Sequence, residues 1–269
     1  MGGPKARTNY LFLPPNEPLR SAVNSLMMKS LKVLFGPETR SPMLALTFAS
    51  GAGVALVVAR ILATRNLHYA FLVWNLFLAW LPLVFALLAR ERSRTGTPRD
   101  WRFAGLAGAW LLFFPNAPYI FTDVIHLLYG QYRHFWVDLT LVLICALTGF
   151  VLGFVSLYLM QSVVRRRYGQ IASWLFIAVV AGLSGFGIYL GRFLRLNSWD
   201  LIAKPIKLYH GVSNWAANPL ANSTTFTFPL LFATFILLAY VMLYTLTHLP
   251  RSAQMEADWK PEAPAPTPA

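Results

Sequence analysis

Long apolar runs separated by short polar ones fill most of the chain. A helix that spans a bilayer needs about 20 mostly apolar residues. Six stretches meet that length: 43–63, 67–89, 101–121, 136–161, 171–191 and 228–249. Ser41-Pro42 stands before the first as a cap residue followed by a proline suited to a first helical turn. The third stretch is interrupted. From Trp101 to Phe114 the apolar run is about 21 Å of helix, against a hydrocarbon core of about 30 Å. The Pro115-Asn116-Ala117-Pro118 break therefore falls inside the membrane.

Before the first span, Leu19, Val23, Leu26, Met27, Leu31 and Leu34 recur at helical spacing, with Arg20, Lys29 and Lys32 between them. That pattern predicts a basic amphipathic helix over residues 19–35, lying on the membrane surface. Beyond the last span, five prolines among alanines predict a disordered tail. The expected organisation is an all-α integral membrane protein with about six transmembrane helices and a proline-broken third span. Residues 1–40 form a cytoplasmic arm, 41–250 the membrane domain and 251–269 a cytoplasmic tail.

Composition strengthens this reading. Of 269 residues, 57% are hydrophobic and 12% charged, where a soluble domain carries about 25% charged residues. The net charge of +13 sets orientation rather than pointing to nucleic acid. Arg90, Arg92, Arg94, Arg99 and Arg102 share one loop, and Arg165, Arg166 and Arg167 share another. With both termini in the cytoplasm, sixteen Lys and Arg fall inside and seven outside, as the positive-inside rule requires. No basic stretch is interleaved with aromatics in the manner of a nucleic-acid surface. The partner that the composition does specify is the lipid bilayer; no cofactor and no protein partner is identified. The single cysteine, Cys145, sits in an apolar run and reads as a small hydrophobe. The amino-terminal segment lacks the pattern of a cleavable signal peptide or a myristoylation site.

This topology places Asp123, Asp138, Asp200 and four of the five histidines on the outer side. On a helix after the break, Tyr119, Asp123 and His126 are spaced i, i+4, i+7 and share a face. Asn116 is placed to cap that helix. Asp123 and His126 are candidate acid/base residues, since ionisable groups within spans are functional candidates by default; the alternative is a proline kink whose polar groups neighbouring side chains satisfy. Arg192 and Arg195 close the fifth span, where a helix dipole favours cations. They read as headgroup anchors, as ion-pair partners of Asp123 or Asp138, or as forks that hold an anion such as a lipid phosphate. Asn197, Asp200 and, in the second span, Asn75 complete the candidate binding set. Ser198 is a candidate cap, and interfacial solvation accounts for Asp138. Gly149/Gly153 and Gly187/Gly191 match the spacing of closely packed helices. Asp123 and His126 alone do not define a metal site, and no metal ligands are assigned. Nucleotide-binding, zinc-peptidase and serine-hydrolase motifs are missing.

Three of these stretches, Trp74–Pro82, Pro115–Tyr119 with Thr122-Asp123 and His126-Leu127, and Gly191–Asp200, resemble a bacterial family of multi-pass membrane proteins classified as domain of unknown function 1361. The resemblance covers roughly residues 45–250. It implies a protein of the bacterial cytoplasmic (inner) membrane and assigns no reaction. The expected function is binding or modification of an anionic envelope or lipid-linked substrate at the outer face. Transport of a small solute, or a structural role in a membrane complex, are the alternatives.

Overall fold

The computed structural model describes residues 40–95, 100–129, 134–206, 209–210, 212–213 and 223–248. The surface helix expected over 19–35 and the tail 251–269 lie outside them. Among the described residues every regular element is helical, and five helices are long and apolar enough to cross a membrane. Helix α1 is Arg40–Thr64, α2 Phe71–Thr95, α3 Trp101–Phe113 and α4 the single turn Asn116–Tyr119. A 3-10 helix, Ile120–Tyr129, continues α4. Helix α5 is Phe135–Phe193, α6 the turn Asp200–Ala203 and α7 Ser223–Thr247. Helix α1 starts before Ser41, so Ser41 and Pro42 belong to its first turn.

The fourth and fifth predicted spans are the two arms of α5, which meet at Gly169. Gly169 breaks it, with φ 87° and ψ −179°, a conformation open essentially to glycine alone. The two arms fold back on each other there. On a straight helix Gly153 and Gly187 would stand about 51 Å apart. Yet a Cβ on Gly153 would come within 2.9 Å of Ala117 Cβ, and one on Gly187 within 2.8 Å of Pro115 Cγ. Both arms therefore clasp the broken third span. Gly149 and Gly191 do the same toward Ile120 and Tyr119, so the two predicted glycine pairs pack against one short segment.

The core lies along α2, where Leu72, Leu76, Ala79 and Leu83 are buried, and along the first arm of α5, through Val142, Cys145, Ala146 and Leu152. Helix α7 covers the hairpin from the side. A Cβ on Gly185 would lie 2.2 Å from the Pro229 carbonyl, an approach that only a residue without a side chain permits. Polar side chains within the bundle bond across helices: Trp80 to Ser50 at 3.1 Å, Trp110 to Ser156 at 3.3 Å, and Tyr240 to Gln161 at 2.6 Å. Such bonds tie helices together where water is scarce.

Asp138 is not explained by solvation. It is 3% exposed and receives both Arg60 Nε (2.5 Å) and Arg60 Nη2 (3.0 Å), a bidentate pair that joins α1 to the start of α5. Tyr69, in the turn between α1 and α2, is close enough to feel Asp138. Burial first, and then the nearby carboxylate, push its phenol up to about 12. At the opposite end of the bundle Arg92 donates to Asp100, which also accepts the Arg102 backbone N–H and caps α3. The Arg92 hydrogen bond holds the Asp100 carboxyl below its ordinary value.

Candidate functional site

The kink at Pro115 interrupts the helical hydrogen-bond ladder and frees backbone carbonyls. In an unbroken helix the Leu112 and Phe113 carbonyls would accept the amides of residues 116 and 117. Here the Ala117 amide turns to Phe114 instead. Asn116 Nδ2 donates to the Phe113 carbonyl at 2.9 Å, and Ser198 Oγ to the Leu112 carbonyl at 3.0 Å. Asn116 Nδ2 also donates to Ser198 Oγ, at 2.9 Å. Asn116 does not cap the following helix: α4 has no side-chain cap. Ser198 does not cap α6 either, since that turn begins after Trp199 without one. Both side chains instead satisfy the break, because an unpaired carbonyl in hydrocarbon is costly.

Beside the break lies a cavity of about 370 Å³. Helix α2 supplies Phe71, Asn75 and Leu78; the broken span supplies Asn116, Tyr119, Asp123 and His126. The end of α5 and the loop after it supply Arg192, Asn197, Ser198 and Asp200. Asp123 is 1% exposed. Its Oδ2 accepts Asn75 Nδ2 at 2.8 Å, and its Oδ1 lies 3.3 Å from Arg192 Nη2 and 3.9 Å from His126 Nε2. Arg192 also donates to the Thr122 carbonyl, sits over the Tyr119 ring at 5.3 Å, and has Nη1 at 3.5 Å from both Tyr119 Oη and His126 Nε2. The His126 ring packs on Phe71, 4.8 Å between centroids, with His68 at 6.1 Å.

The i, i+4, i+7 face drawn for an α-helix is carried by a turn of α-helix followed by 3-10 helix. Tyr119, Asp123 and His126 still reach one cavity. Asp200 is buried, accepts the Asn197 backbone N–H at 2.8 Å and pairs with Lys204 at 3.2 Å. Those partners, the Asn197 amide first, hold its carboxyl below the ordinary value. Of the nine predicted site residues, eight line the cavity. Arg195 does not. It is exposed, with φ 51°, and forms the left-handed turn that lets the Leu196 amide return to the Leu190 carbonyl. Of the two arginines at the end of the fifth span, Arg192 reaches the cavity and Arg195 does not.

A family model matches residues 74–239, more than half of the chain. The chain belongs to the family described as protein of unknown function, DUF1361. The match is narrower than the resemblance read from sequence. It takes in every cavity residue of this DUF1361 protein from Asn75 to Asp200, and leaves Phe71 and the Arg60–Asp138 pair partly outside. No curated protein and no solved structure matches the chain.

Sequence reasoning missed Ser198 as a wall of the site and Arg60 as the partner of Asp138. Both could be suspected. A kink at Pro115 frees carbonyls that require donors from elsewhere, and a buried carboxylate requires a cation. Which residue answers in each case is a matter of tertiary proximity, 82 and 78 residues away along the chain.

Proposed function

We propose that this DUF1361 protein crosses a bacterial cytoplasmic membrane six times with both termini inside, and that its cavity binds or modifies an anionic envelope or lipid-linked substrate at the outer face. The observation that carries the reading is the Asp123–Arg192–His126 cluster, a buried ion pair set in the wall of an open cavity rather than in packed core. Six crossings fit the hairpin at Gly169. Helix parity then puts the cavity at the end opposite the arginine-rich loops, as the positive-inside rule favours.

An anion that reaches Arg192 competes with Asp123 for the guanidinium. Uptake of a proton by Asp123 from water in the open cavity relieves the repulsion and leaves Arg192 free to hold the anion. Asn75 Nδ2, with one N–H beyond its bond to Asp123, offers a further donor. Passage of a small solute is a second reading, favoured by the break in the third span. It requires the layer below the cavity, where Trp110 stacks on Phe176 and Phe114 is buried, to open.

The test uses a Cys145→Ser background with single cysteines at Asn197 or at Ser93, both exposed. A membrane-impermeant thiol reagent applied to intact cells is expected to label position 197 and not 93. The reverse pattern would move the cavity to the cytoplasmic side and overturn the reading. In purified protein, glycerol 3-phosphate is expected to slow alkylation at 197, and Arg192→Ala to abolish that protection. Equal rates with and without the phosphate compound would remove the anion from the proposal. Accumulation of phosphate in sealed proteoliposomes would favour transport.

A further inference from the structure

Going round α2, three faces follow one another. Leu72, Leu76, Ala79 and Leu83 face the core. Phe71, Asn75 and Leu78 face the cavity. Trp74 and Phe77 come next, each 52% exposed, with rings 5.4 Å apart. On a helix with 100° per residue, Trp74 adjoins the cavity face on the side away from the core. The cavity thus lies between packed core and the surface that a spanning helix turns to lipid. Trp199 is 38% exposed and meets Trp74 edge-on, 6.3 Å between centroids. Trp199 adjoins Ser198 and Asp200, both of which line the cavity. Two indoles therefore form a lip that joins a polar cavity to an apolar aromatic surface.

A water-soluble substrate has no use for such a lip. An amphiphile does: its charged head needs donors and its chain needs an apolar track continuous with them. We propose that the ligand is an anionic lipid that reaches the cavity sideways from the outer leaflet, the touching Trp74 and Trp199 rings parting to pass its head toward Asn75 and Arg192 while its chain stays on the Trp74–Phe77 face. This rests on the reading of the cavity as an anion site and adds the route and the chain. Exposed tryptophans also anchor membrane proteins at the interface without binding anything; saturability separates the two cases.

The probe is phosphatidylglycerol with an aliphatic diazirine in one acyl chain, added to full-length protein in phosphatidylcholine nanodiscs. After illumination, cross-links are expected to concentrate at Trp74 and Phe77, to saturate with probe, and to be competed by unlabelled phosphatidylglycerol but not by more phosphatidylcholine. Trp199→Ala is expected to raise the half-saturating probe fraction about five- to tenfold, the worth of one good aromatic contact, and Trp199→Phe to recover most of it. Cross-linking that rises in proportion to probe and spreads over every lipid-facing helix would overturn the proposal. Under that outcome, if glycerol 3-phosphate still protects a cysteine at position 197, the anion site stands and only the lipid route fails. If protection is also lacking, both readings fall.

Discussion

At the scale of single residues, the buried polar groups divide into pairs that hold the bundle and a cluster that lines a cavity. Arg60 and Asp138 belong to the first kind. Removing one partner strands a charge in a poorly solvated place, and such losses cost about 3–5 kcal/mol. Asp138→Ala and Arg60→Ala are each expected to lower the thermal midpoint in detergent strongly. The double variant should lose much less than the sum of the two single losses. A strictly additive double-mutant cycle would show that the pair contributes nothing as a pair. The carbonyls at the proline break give a second prediction. Ser198→Ala leaves the Leu112 carbonyl without its donor, a loss of about 1–3 kcal/mol, and Asn116→Leu does the same for Phe113. A variant as stable as the parent at either position would mean that water or another group reaches these carbonyls.

At the scale of elements, two glycines act for different reasons. Gly169 has a left-handed φ and open space around it, so Gly169→Ala meets backbone strain of about 1–3 kcal/mol and no clash. Gly185 is ordinary helix packed on the Pro229 carbonyl, so Gly185→Ala meets a clash and no strain, at about 1–3 kcal/mol or more. Both should lose stability. Only Gly185→Ala should loosen α7 from the hairpin, read as faster hydrogen exchange confined to Ser223–Thr247. Exchange accelerated equally in both variants would contradict the separation. The span pattern made α1, α2, α7 and the broken third span legible, since each carries its own apolar run. The two arms of α5 were legible as separate spans too; what was not is that the first arm stays helical through Arg165–Arg167 up to Gly169.

For the whole molecule, ionisable groups at the two ends make stability depend on pH. Asp200 and Asp100 both have carboxyls held below the ordinary value of 3.8, so each contributes stability above the unfolded-chain pKa. That contribution is lost as pH falls through the lower folded value. Acidification below about pH 4 should therefore lower the thermal midpoint. Asp200→Asn and Asp100→Asn together should flatten the decline, and an unchanged acid limb in the double variant would assign it to other groups. Neutralising Asp200 should in addition free the Asn197–Ser198 wall and weaken protection of a cysteine placed at 197.

The hydropathy pattern of the chain makes legible a helical membrane protein, the course of its apolar segments and the break of the third at Pro115 and Pro118. Those properties follow from local hydrophobicity and from the missing proline N–H. It also marked Asn75, Asn116, Tyr119, Asp123, His126, Arg192, Asn197 and Asp200 as residues out of place in hydrocarbon. That these eight share a cavity, that Arg195 forms a turn outside it, that Arg60 answers Asp138, and that Asn116 and Ser198 serve freed carbonyls rather than helix ends is visible in the folded molecule alone. The reason is physical. A buried charge or orphaned carbonyl obliges some partner to exist, but the partner is chosen by how helices dozens of residues apart come to lie against one another.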